Sequence, residues 1–145
     1  MRRWTMPNWC ANRVEVYGTE EDIQKFKAYV SKGDLPMSFD KISPLPEELK
    51  NTRSPSGEPN VDLINKYGAD NWYDWQITNW GVKWDVSDIE LEEGEDYLTY
   101  RFDTPWGPPE GIHAMIRDEF PDISMSWFYD EPGMMMAGYL GAERW

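Results

Sequence analysis

The chain has one cysteine and one histidine in 145 residues. One cysteine cannot close an internal disulfide, and the pair cannot build a zinc site or hold an iron–sulfur cluster. Cys10 therefore reads as a buried, inert thiol in a first strand, and His113 as a structural histidine at the start of a helix. No apolar run approaches the ~20 residues a membrane helix needs. The arginines near the N-terminus precede no hydrophobic stretch, so no signal peptide is expected. A reducing, cytoplasmic setting is the expectation. No glycine-rich phosphate loop opens a helix after a strand. Base is scarce too: 14 Lys and Arg face 27 Asp and Glu, for a net charge of −13. That balance opposes direct binding to nucleic acid or to an anionic membrane. The sequence thus assigns no catalytic residue, no metal and no cofactor, and an enzyme is not expected.

Aromatic residues are abundant. Nine Trp, eight Tyr and five Phe argue against disorder. Many of the tryptophans stand in short polar words: Asn8-Trp9-Cys10-Ala11-Asn12, Asn71-Trp72-Tyr73-Asp74-Trp75, Asn79-Trp80-Gly81-Val82-Lys83-Trp84-Asp85 and Thr104-Pro105-Trp106-Gly107-Pro108-Pro109. An indole buries a large area but carries one N–H that wants an acceptor. Two readings follow. Asn8, Trp9, Asn12, Asn79, Trp80, Lys83, Trp84, Asp85, Trp106 and Glu131 could converge on one pocket for a nucleotide or another planar ligand. Alternatively, they form a structural network in which amides hold turns and indoles fill the end of the core.

Periodicity supplies the fold. Trp9 to Val16 alternates as a strand, with Val14 and Val16 on one side and Arg13 and Glu15 on the other. Thr19 caps a helix over 20–32, with Glu20, Glu21 and Asp22 in its first turn and Ile23, Phe26 and Val30 on its apolar face. Five prolines break up Leu35 to Asn60, where Phe39 and Ile42 suggest a short extended piece and Asn51 to Asn60 a mobile loop. Short helices are expected at Val61 to Tyr67 and Asp70 to Trp80. Val82 to Leu91 and Tyr97 to Asp103 read as a hairpin of two strands. A helix opens at Pro108-Pro109-Glu110, with Ile112, Met115, Ile116 and Phe120 facing the core. Ile123 to Tyr129 and Met134 to Leu140 are two further strands. The fold class is therefore α+β, a ferredoxin-like β-α-β-β-α-β antiparallel sheet with helices on one face. Residues 34–80 form a Pro-rich and helical insertion, a last strand is added, and residues 1–5 look like a leader to a single domain spanning 1–145.

Charge is uneven. Asp85 to Asp96 holds seven acids and no base. Asp88, Glu90, Glu92, Glu93, Glu95 and Asp96 define a candidate acidic interaction face, which as a plain solvated edge would also discourage strand-to-strand aggregation. Tyr97, Thr99, Arg101 and Arg13 could share the open face of the sheet, as in RNA-binding sheets, but no basic stripe accompanies them.

Four separated words carry a resemblance. Met6-Pro7-Asn8-Trp9-Cys10-Ala11-Asn12, Asn79-Trp80-Gly81-Val82-Lys83-Trp84-Asp85, Phe102-Asp103-Thr104-Pro105-Trp106-Gly107-Pro108-Pro109 and Tyr129-Asp130-Glu131-Pro132-Gly133 with Ala137-Gly138 stand in order along the chain. Together they resemble the YubB ferredoxin-like domain family of phages and plasmids; the family more often has Thr in place of Val82. The resemblance implies the same fold and a mobile-element protein in a bacterial cytoplasm, and it supplies no activity. The leading expectation is a non-enzymatic accessory protein acting through a protein partner. Its acidic surface would be the partner face, including interference with a host nucleic-acid-binding or defence protein. The alternative is a small-ligand or nucleotide-binding domain at the tryptophan words.

Overall fold

A computed structural model describes residues 8–54 and 57–141. The expected leader lies outside the described residues, as do residues 55–56 of the loop expected between Asn51 and Asn60. Five strands form one antiparallel sheet in the order β2-β3-β1-β4-β5. They are β1 (Trp9–Tyr17), β2 (Glu90–Glu93), β3 (Tyr97–Pro105), β4 (Ser124–Glu131) and β5 (Met136–Tyr139). The longest helices are α1 (Glu20–Val30) and α5 (Glu110–Glu119). Between α1 and β2 come α2 (Phe39–Ile42), α3 (Val61–Tyr67) and α4 (Trp72–Asn79). Strands β1 and β2 run parallel with β3 between them, which is the split βαβ arrangement of a ferredoxin-like fold.

The alternation of β1 sets the two faces. Cys10, Asn12, Val14 and Val16 are buried toward the helices. They meet Leu98, Tyr100 and Phe102 of β3 and Trp127 of β4 in one core with Ile23, Phe26 and Val30 of α1 and Ile112 and Ile116 of α5. Both helices therefore cover one face. The other face carries Arg13, which lies over Phe128, and Phe128 in turn packs on Tyr139 of β5 (5.2 Å between ring centroids).

Several local expectations hold. The Thr19 side chain accepts the Asp22 N–H at the start of α1 (3.1 Å). The helix over Val61–Tyr67 forms, and Gly68 closes it with φ 81°. Beyond those expectations, Asn60 and Asn71 cap α3 and α4 in the way Thr19 caps α1.

Others are corrected. Helix α1 stops at Val30, because Lys32 and Leu35 bridge into a tight turn around Gly33. Phe39 and Ile42 are buried as expected, but in a helix capped by Ser38 and not in an extended piece. Met115 is exposed, while Ile112 and Ile116 are buried and Phe120 packs beside Phe26 of α1. The strand expected from Val82 begins only at Glu90. Val82 and Val86 do turn into the core, but Trp84 points outward and is 42% exposed. The cause is Asp85. Its carboxylate accepts from the backbone N–H groups of Phe39 (2.7 Å) and Asp40 (3.1 Å), which draws this segment toward α2 and away from β3.

Candidate functional site

The ten residues expected to frame one pocket do not gather in one. Trp80, Trp84 and Asp85 line a shallow cleft of about 300 Å³ with Leu45, Lys50, Trp72 and Gln76. Lys83 and Trp106 line a different one, of about 280 Å³, with Tyr73, Ile77 and Pro108. Trp9 lines a third with Ser87, Asp88 and Asp103. Asn8, Asn12, Asn79 and Glu131 line none of these three. The segment from Gly81 to Ile89 separates the clefts, because it folds down onto the insertion and does not extend the sheet. Trp84 of this segment meets Trp9 of β1, with ring centroids 6.2 Å apart.

Most of the polar residues have structural partners. Asn12 is buried under the sheet. Its Nδ2 donates to Thr104 Oγ1 (2.9 Å) and to the Cys10 carbonyl (3.1 Å), and its Oδ1 accepts the indole N–H of Trp127 (3.0 Å). Thr104 then donates to the Gly107 carbonyl (2.6 Å). One amide thus ties β1, β3 and β4 to the turn that enters α5. Asn79 Nδ2 donates to the Trp75 carbonyl (2.9 Å), and the Trp80 indole N–H to the Ser43 carbonyl (2.8 Å). The Asn8 carbonyl accepts the Trp106 N–H (2.8 Å), while its side chain lies against Gly133. Glu131 is fully buried; its Oε2 caps the turn after β4 by accepting the Met134 N–H, and its Oε1 has no hydrogen-bond partner among the described residues. Asp85 also accepts from Ser38 Oγ and from its neighbour Val86 N–H, so its carboxylate is committed to holding loop and helix together.

Three indoles remain available. Trp9, Trp84 and Trp106 are each more than 40% exposed. Lys83 Nζ stands 4.4 Å from the centroid of the Trp84 ring, within range of a cation–π contact. Trp106 adopts φ 71°, an uncommon conformation for a bulky side chain, and its indole is turned out to solvent.

The six residues of the candidate acidic face lie together at one edge of the sheet. Asp88, Glu90, Glu92, Glu93, Glu95 and Asp96 are all exposed, along edge strand β2 and its flanking turns. Among the described residues, Lys27 pairs with Glu93, and Tyr97 donates its hydroxyl to Glu92. Asp88, Glu90, Glu95 and Asp96 have no ion pair among the described residues.

The groups that could act as nucleophile or base have structural surroundings. Cys10 is fully buried, and burial pushes its thiol up to about 11. Tyr100 is also raised by burial, under α1 and beside Phe26. His113 packs edge-on against Trp127, where the Trp127 indole N–H is held by Asn12. Among the described residues no group of three or more His, Cys, Asp or Glu is placed to hold a metal ion.

Sequence reasoning missed three contributors. Trp127 completes the asparagine network. Ser38 caps α2 and shares Asp85. Gly111 lets α5 pass so close to the end of α4 that its N–H donates to the Trp80 carbonyl (3.1 Å). The alternation of β4 already put Trp127 on the core face; the other two depend on contacts between distant segments.

Comparisons with known proteins agree with this architecture. Residues 79–143 match the family described as a ferredoxin-like domain in Api92-like protein. No curated protein matches the chain. The crystal structure of the protein api92 from Yersinia pseudotuberculosis superimposes with a TM-score of 0.55 at 14% identity, over 92% of this chain and 93% of that one. The chain is thus similar in fold to api92 over most of its length, and its residues 79–143 are similar to the ferredoxin-like domain of Api92-like proteins.

Proposed function

We propose that this chain works by protein interaction and not by catalysis, presenting the carboxylates of the β2 edge to a basic surface on a partner. The observation that carries this reading is the exposure of all six acids on one edge, with Lys27 the ion-pair partner found for them among the described residues. Such a strip raises association rates and selects partners of opposite charge. It resembles a nucleic-acid backbone in charge, so a host nucleic-acid-binding or defence protein is the partner class it fits. The resemblance to the YubB family supports the setting: an accessory protein of a phage or plasmid in a bacterial cytoplasm. The test is affinity capture from host lysate, with the wild type beside a variant carrying Glu92→Lys, Glu93→Lys and Glu95→Lys. A partner retained at low salt by the wild type and lost by the variant supports the proposal. A set of captured proteins unchanged by the reversal refutes it.

A second reading rests on the cleft at Trp72 and Trp84. An exposed indole beside Lys50 and Gln76 is a platform for a planar anionic ligand such as a nucleotide. Titration with a panel of nucleotides while following tryptophan fluorescence tests it. No quench or shift at millimolar ligand would sink it.

A further inference from the structure

The two edges of the sheet are chemically opposite. Edge strand β2 reads Glu90-Leu91-Glu92-Glu93, and edge strand β5 reads Met136-Ala137-Gly138-Tyr139, with no charge at all. Carboxylates along an edge deter strand addition, whereas an uncharged, apolar edge invites it. Large apolar side chains stand exposed at β5: Met135 is 93%, Tyr139 48% and Met136 39% exposed.

We infer that β5 is a self-association edge, on which a second copy of this chain adds its own β5 antiparallel to form one continuous ten-stranded sheet. The pattern of side-chain sizes supports a second copy as the occupant. A two-fold axis perpendicular to the sheet and passing at Gly138 sets Gly138 opposite its own counterpart. It sets Ala137 opposite Tyr139, and Met136 opposite Leu140, in both directions. Each large ring then covers a small residue on the open face. Each methionine meets a leucine on the helix face, and the crowded centre holds only hydrogen. An interface of this kind must be complementary to itself, and this one is.

Charge selects the same edge. A chain of net charge −13 resists meeting its own copy. Joining at β5 puts the two β2 edges at opposite ends of the sheet, about 43 Å apart at ~4.8 Å per strand, several Debye lengths at physiological salt. Joining at β2 would stack carboxylate on carboxylate. The β5 dimer also leaves both acidic edges free, so it is independent of the partner proposed for them.

Light scattering or sedimentation velocity on the wild-type chain, from micromolar to millimolar concentration, tests the inference. The expected result is a concentration-dependent species of twice 17.1 kDa, strengthened by added salt. Ala137→Glu removes the cover site for Tyr139 and is expected to return the chain to a monomer. Glu92→Lys, on the opposite edge, leaves the dimer in place. Gly138→Cys gives a second readout for a weak dimer, since the two residues at the axis would cross-link under mild oxidant while buried Cys10 does not react. A monomer at every concentration that also yields no cross-link overturns the inference. So does a dimer unaffected by Ala137→Glu.

Discussion

Replacing Asn12 by Ala tests whether the tryptophan and asparagine words act as a structural network. The side chain is 3% exposed and makes three well-formed bonds, to Thr104, to the Cys10 carbonyl and from Trp127. Thr104 keeps its own donor satisfied through the Gly107 carbonyl, so its loss is modest. The Trp127 N–H loses its acceptor inside the core, and a buried donor left unpaired costs about 1–3 kcal/mol. The missing amide also leaves a small void. A total of ~3 kcal/mol is a large fraction of the ~5–15 kcal/mol that holds a domain together. In a chain of this size it lowers the melting temperature by roughly 10 °C. Urea and thermal melts followed by near-ultraviolet circular dichroism measure it. A double-mutant cycle with Trp127→Phe isolates the indole bond, and the coupling should reach about 1 kcal/mol. A loss under ~0.5 kcal/mol for Asn12→Ala, typical of an unremarkable surface change, or a coupling near zero would refute the reasoning.

Gly111→Ala places a Cβ 2.0 Å from the Asn79 carbonyl oxygen, which is backbone and cannot step aside. A cost of about 3 kcal/mol in denaturant melts is expected, whereas Gly107→Ala, with nothing within 4 Å, changes stability by less than ~0.5 kcal/mol. Asp85→Ala removes the acceptor that holds the first turn of α2 and is expected to cost about 2 kcal/mol, with Asp85→Asn milder because one oxygen remains. The Cys10 thiol, raised by burial from 9.0 to about 11, should resist a thiol reagent at pH 8 until the chain unfolds. Because the folded state holds this proton more tightly than the unfolded one, stability should fall as pH rises from 9 toward 11, and Cys10→Ser should flatten that slope in melts taken across the range.

The strand and helix order was legible because each element carries a period and a punctuation mark. The alternation of Tyr97 to Phe102, the Thr19 cap with three acids behind it, and Gly68 after Tyr67 are local signals, and the local backbone obeys them. The acidic face was legible for the same reason: a run of carboxylates without an apolar partner has nowhere to go but solvent. The site residues were only half legible. Trp9, Trp80, Trp84 and Trp106 look alike in the sequence, each beside a polar or glycine neighbour. Trp80 is nevertheless buried with its N–H on Ser43, and the other three stand in solvent.

What separates them is long-range geometry. Val82 to Ile89 alternates well enough for a strand, and no local rule says otherwise. Asp85 finds the free N–H groups of a helix more than forty residues earlier, and that contact bends the segment off the sheet and divides the expected pocket into three shallow clefts. The sequence alone determined the ferredoxin-like order of strands and long helices, the buried faces of β1, β3 and α1, and the charged edge, since periodicity and charge act between near neighbours. Which indole is core and which is surface, and which edge of the sheet is left uncharged beside which, were decided only by tertiary structure. Those outcomes depend on hydrogen bonds and strand pairings that close across distant parts of the chain.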